Sequence, residues 1–127
     1  MTSEFEAVFV RLRDILKKHA ATLAVTEDTS RCYCLSGGWH PTHKRPFPIA
    51  WVQVGKAYVG FHHMGVYCCP ELLGSASKKL KARMQGKSCF NFKVMDEPLF
   101  EELEQLSILA FDRSKRKFPA FESQKTS

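Results

Sequence analysis

Apolar residues at Phe5, Val8, Phe9, Leu12, Ile15 and Leu16 recur with a helical period, and Arg11, Arg13, Asp14, Lys17 and Lys18 occupy the positions between them. The spacing predicts an amphipathic helix over residues 3–20. Ser3 suits its N-cap, and Glu6, three residues on, completes a capping box. A second stripe near the other end is formed by Phe100, Leu103, Leu106 and Ala110, with Leu99 beside it. Asp96 suits the N-cap of that helix, Pro98 is tolerated in its first turn, and the stripe runs out near Phe111.

Between the helices the period changes to two. Ile49 to Val54 and Ala57 to His62 are rich in β-branched and aromatic residues, and the intervening Gly55-Lys56 is the sequence of a type II′ hairpin turn. Alternation puts Ile49, Trp51 and Gln53 on one face of the first strand, and Tyr58, Gly60 and His62 on one face of the second. Arg31 to Leu35 and Ser88 to Phe92 alternate as well and read as strands. Leu23 to Val25 is a short apolar stretch before a polar turn at residues 27–30. The segment from Gly37 to Pro48 holds two glycines, three prolines and two histidines and reads as an irregular loop. Met64 to Tyr67 reads as extended. Pro70 and Gly74 punctuate a turn or short helical segment at Glu71 to Leu73. Ser77 suits the N-cap of a basic helix reaching about Met84, with Gly86 at its C′ position. Helix, strands, short helix, strand, helix is the order of an α+β domain, an antiparallel sheet with N- and C-terminal helices packed on one face.

Length and composition bound this picture. The 127 residues suffice for one domain, read here as residues 1–112, followed by a basic, frayed tail at 113–127. Hydrophobic residues make up 44% and charged residues 25%, which excludes collagen-like and wholly disordered classes. The longest apolar stretch is far short of the ~20 residues of a membrane span. The first residues carry acids where a secretory signal needs bases, so the expectation is a cytoplasmic protein with no membrane partner. Five cysteines, an odd number, then read as reduced thiols rather than a disulfide framework.

The charge of +6 is unevenly spread. No acid lies between Glu71 and Asp96, and that interval carries Lys78, Lys79, Lys81, Arg83, Lys87 and Lys93. Within it, Lys78, Lys79, Lys81, Arg83 and Lys87 are candidates for binding phosphate or nucleic acid. Gln85-Gly-Lys-Ser88 is not a phosphate loop, because the pattern needs glycine where Lys81 stands, between a strand and a helix. Cys32-x-Cys34 and His40-x-x-His43 supply zinc-ligand types at poor spacing. His62-His63 and Cys68-Cys69 offer a mixed metal set of His62 with Cys68 or Cys69, assembled across the sheet. Neighbours on a strand point to opposite faces, so at most one of each pair reaches a common point. No triad, phosphate loop or cofactor fingerprint stands up, and no cofactor is required. The leading expectation is a non-enzymatic binding module for a small molecule or a partner protein. Its surface is the sheet face and the 37–48 segment, with Trp39, His40, Trp51, Tyr58, His62 and Tyr67 as lining residues.

Three runs carry a family resemblance: Ala57-Tyr-Val-Gly-Phe-His-His-Met-Gly-Val-Tyr67, Pro70-Glu-Leu-Leu73 and Leu80-Lys-Ala-Arg-Met-Gln-Gly-Lys-Ser-Cys-Phe-Asn-Phe92. Over about residues 30–112 the chain resembles the YdhG-like family, small bacterial domains mostly of unknown function. The resemblance implies a compact α+β domain similar in outline to frataxin, and a metal-handling role is its functional alternative, since some relatives are described as frataxin-like iron chaperones. Iron handling relies on clustered carboxylates. Here Asp96, Glu97, Glu101, Glu102 and Glu104 form the one acidic cluster, on a net basic chain and at a helix start that favours acids. The resemblance implies no catalytic residues.

Overall fold

The hairpin at residues 49–62 is the centre of a six-stranded antiparallel sheet. A computed structural model of the chain describes residues 3–20, 23–40, 45–86 and 89–117. Helix α1 spans Ser3–Lys17. Strands β1 (Ala24–Asp28), β2 (Cys32–His40), β3 (Arg45–Val54) and β4 (Val59–His63) follow. A five-residue helix, α2 (Met64–Cys68), leads into a 3-10 turn at Pro70–Ser75 and a four-residue helix, α3 (Lys78–Lys81). Strands β5 (Met84–Gln85) and β6 (Cys89–Phe92) precede the long α4 (Glu97–Lys117). The sheet order is β1-β2-β3-β4-β6-β5, with every neighbouring pair antiparallel. No helix among the described residues is long and apolar enough to cross a membrane.

Alternation divides the sheet into two faces. Ala50, Val52 and Val54 of β3, Val59 and Phe61 of β4, and Phe90 and Phe92 of β6 are buried in one core with the apolar stripes of α1 and α4. Phe92 meets Phe100 of α4 edge to face, ring centroids 5.0 Å apart, a favoured aromatic arrangement. The two long helices run in the same direction: Glu4 accepts from the Met95 backbone, Arg11 bonds Glu97 and Glu104, and Lys18 bonds Glu104. The expected architecture, helices on one face of an antiparallel sheet, is the observed one.

Several local expectations are corrected. The hairpin turn is wider than a Gly55-Lys56 type II′ turn: Val54 pairs with Val59, and the Gly55 N–H donates to the Tyr58 carbonyl. This register sets Val54 opposite Val59 in the core, where the tighter turn would have met it with the exposed Ala57. The segment from Gly37 to Pro48 is not wholly irregular, since β2 continues to His40 and β3 begins at Arg45. Pro46 and Pro48 are accommodated because β4 ends opposite Ala50, leaving β2 as the one sheet neighbour of that part of β3. The register also steps there, and Ile49 is carried into the core.

Met64 to Tyr67 is helical rather than extended. His63, with extended backbone, caps α2 by accepting the Gly65 N–H on Nδ1 at 3.0 Å. The basic helix stops at Lys81, and the Asn91 N–H donates to the Arg83 carbonyl, drawing the chain into the sheet as β5. Gly86 therefore serves the turn after β5, at φ +82°, rather than capping a helix. Helix α4 passes Phe111 and includes residues 113–117 of the expected tail. Lysine and arginine are favourable at a helix C-terminus, and no helix breaker precedes Pro119. Residues 118–127 of that tail lie outside the described residues.

Candidate ligand-binding face

The face of the sheet opposite the helices carries an ordered array of polar and aromatic side chains. Register alone builds it. Cys34 of β2 opposes Trp51 of β3, Trp51 opposes His62 of β4, His62 opposes Cys89 of β6, and Cys89 opposes Gln85 of β5. The next row along the strands is Cys32, Gln53, Gly60 and Asn91, with Arg83 bonded beyond Asn91.

On this face lies a concavity of about 480 Å³ with Trp51, Gln53, Tyr58, Gly60, His62 and Cys89 on its wall and Lys56 of the hairpin turn in its lining. That size is in the range of small-molecule sites. Trp51 and His62 form one wall as a stacked pair, ring centroids 4.0 Å apart and planes within 15°. Gly60 supplies the floor between His62 and Tyr58. A β-carbon there would stand 3.4 Å from Asn91 Oδ1 and 3.7 Å from Cys89 Sγ, so the floor is level because the residue is glycine. Polar groups converge at its edge: Cys89 Sγ donates to Asn91 Oδ1 at 3.4 Å, and Asn91 Nδ2 donates to Gln85 Oε1 at 2.6 Å.

The electrostatics suit binding rather than covalent chemistry. Burial pulls His62 below the ordinary imidazole value, so it is neutral at neutral pH. Burial raises the Cys89 thiol, and burial followed by the charge of Glu27 raises Cys32 to about 12. Both sulfurs are therefore protonated and weak as nucleophiles.

Of the six lining residues expected, the structure brings Trp51, Tyr58 and His62 together. Tyr67 is 51% exposed on α2 and leaves the sheet face, because the chain turns into a helix at His63. Trp39 and His40 belong to β2, and their side chains lie outside the described residues. The expected metal set is separated: His62 lines the open face, Cys69 is buried in the core, and the side chain of Cys68 lies outside the described residues. Among the described residues, no three His, Cys, Asp or Glu side chains converge as metal ligands. Most of the acidic cluster is committed to partners in the fold. Glu97 and Glu104 pair with α1, Glu102 accepts from the backbone and hydroxyl of Ser77, and Asp96 accepts from the Leu99 N–H. Lys78, Lys79, Lys81 and Arg83 are exposed, and Lys87 lies outside the described residues.

Sequence reasoning passed over Gly60, Gln53 and Cys89. The signal was present: Gly60 has the parity of His62, Gln53 has that of Trp51, and Cys89 lies on an alternating strand. What one sequence did not show was that β6 lies beside β4. No protein-family model, no curated protein and no solved structure matches this chain.

Proposed function

We propose that this chain is a YdhG-like, cytoplasmic binding module that takes a small planar ligand on the open face of its sheet. The observation that carries this reading is the Trp51–His62 stack standing beside the side-chain-free floor at Gly60. A flat ring placed on Gly60 meets aromatic edges at His62 and Tyr58, and hydrogen-bonding groups at Gln53 and Asn91. His62 Nε2 already contacts Met64 Sδ at 3.4 Å, so His62 offers the ligand its ring rather than that nitrogen. The protonated thiols of Cys32 and Cys89 favour binding over catalysis, and free thiols suit a reducing compartment. The frataxin-like alternative draws less support, because Asp96, Glu97, Glu102 and Glu104 are engaged within the fold.

The test is a titration of Trp51 fluorescence in a Trp39→Phe background, with adenosine and benzimidazole as planar probes and cyclohexanol as a non-planar control. The planar probes are expected to change Trp51 emission saturably, and Gly60→Val to abolish the change without lowering the melting temperature. No saturable change with either planar probe, or an equal response to cyclohexanol, overturns the reading.

A further inference from the structure

The concavity beside Trp51 has Lys56 in its own lining, and two further cations lie past Asn91. Asn91 forms its rim, the Arg83 carbonyl accepts the Asn91 N–H at 2.8 Å, and Lys93 follows two residues on along the same strand. A second depression continues past the rim, lined by Tyr58, Arg83, Gln85, Asn91 and Lys93. Tyr58 belongs to both. A third hollow again includes Arg83 and Lys93, now with Lys79 and with Asp96. Arg83, Lys93 and Lys79 are all exposed, and no carboxylate among the described residues forms an ion pair with any of them. Asp96, the nearest acid along the chain, is turned to the Leu99 N–H.

The opposite end of the face has the other sign. There Cys32 and Cys34 stand beside Glu27, and burial first, then the charge of Glu27, raises the Cys32 thiol. The open face is thus polarised from an acidic end at β1 to a basic end at β5 and β6, with the aromatic floor between them.

We propose that Arg83 and Lys93 form the anion subsite of this face, so that its ligand is a heteroaromatic ring joined to a phosphate, a single nucleotide. This rests on the reading of the Gly60 floor as the ring site. The dimensions agree. Arg83 lies two strand spacings from Gly60, roughly 10 Å, and Lys93 one spacing and two residues away, roughly 8 Å between α-carbons. Both side chains are long enough to meet a phosphate held one sugar away from a ring on Gly60. Arginine supplies a planar fork for phosphate oxygens, and lysine a mobile point charge. A single nucleotide fits better than a nucleic-acid strand, because past Trp51 and Cys34 the face reaches Glu27 of β1. A strand extended that way would run onto Glu27.

The experiment compares AMP with adenosine and with a ten-residue oligo(dA), read by Trp51 emission in the full chain carrying Trp39→Phe. AMP is expected to bind about tenfold more tightly than adenosine at low salt, the gap narrowing as salt rises. In the double variant Arg83→Gln/Lys93→Gln the gap is expected to close to within twofold, with adenosine affinity and melting temperature unchanged. Equal affinities for AMP and adenosine, or a gap that survives the double variant, overturn the anion subsite and leave the ring site standing. Binding of neither AMP nor adenosine overturns the ring site and the subsite with it. Oligo(dA) binding more tightly per nucleotide than AMP overturns the single-nucleotide ligand in favour of a strand.

Discussion

Trp51 and His62 face each other across the β3–β4 ladder with rings 4.0 Å apart, and this pair reports on the open face directly. An imidazolium in van der Waals contact with an indole quenches its emission. Burial holds His62 below its ordinary value of 6.5. In a Trp39→Phe background, Trp51 emission should therefore fall on acidification with a midpoint below pH 6.5. In His62→Gln the acid step should vanish while the melting temperature stays close to that of the parent. A midpoint at or above 6.5 would mean that the pair is solvated rather than stacked.

The turn between β5 and β6 makes a second prediction. Gly86 sits at φ +82°, a backbone region where a β-carbon is strained, with open space around it. Gly74 also has open space but no such φ. Gly86→Ala should lower stability by about 1 kcal/mol, whereas Gly74→Ala should be neutral or slightly stabilising. Urea denaturation of the two variants separates backbone strain from loss of a side-chain contact.

A third prediction concerns His63, which is completely buried. Its Nδ1 accepts the Gly65 N–H, and its Nε2 has no partner among the described residues. Its ring stands edge-on to Phe111, centroids 4.3 Å apart, and Phe111 in turn packs on His19. Burial first, then His19 and His62, lower it from 6.5 to about 3. A base whose pKa is lowered by folding binds more protons unfolded than folded. Its contribution is complete above pH 6.5 and is lost as pH falls from there toward about 3. In His63→Asn, which keeps a capping side chain, the slope of stability against pH between those values should be shallower than in the parent. An unchanged slope would show that His63 takes up its proton in the folded chain as well, as a hydrated imidazole does.

The two faces of the sheet differ in how much of them could be read beforehand. Core positions follow from period alone, and Val8, Leu12, Ile15, Phe100 and Leu103 are buried as the stripes require. So were the alternating faces of the central hairpin legible, and with them Trp51, Tyr58 and His62. What was missed depends on contacts distant in sequence. Tyr67 leaves the face because a buried histidine caps the following helix, a tertiary outcome of burying His63. Lys93 and Arg83 lie past Asn91 because β6 inserts between β4 and β5, an order that no local pattern specifies. The two prolines in β3 mimic a loop in sequence, and the early end of β4 makes room for them.

A last prediction tests the clamp between the long helices. Lys18, just past the end of α1, donates to Glu104 of α4, and Arg11 of α1 reaches both Glu104 and Glu97. The Lys18 hydrogen bond comes first in holding Glu104 below its ordinary carboxylate value of 4.5, burial opposes it, and the charges of Lys18 and Arg11 add to the lowering. A lowered carboxylate contributes stability that is present above 4.5 and lost as pH falls through the folded value. This window begins at 4.5 whereas the one set by His63 begins at 6.5, so the two variants should diverge from the parent at different pH. Lys18 is 59% exposed, which limits the pair to the range of surface bridges. Glu104→Gln should cost about 0.5–1 kcal/mol at neutral pH and low salt. The cost should shrink at high salt, and it should disappear where the parent carboxylate is itself protonated. A cost that persists unchanged in acid would mean that Glu104 acts through packing against α1 rather than through its charge.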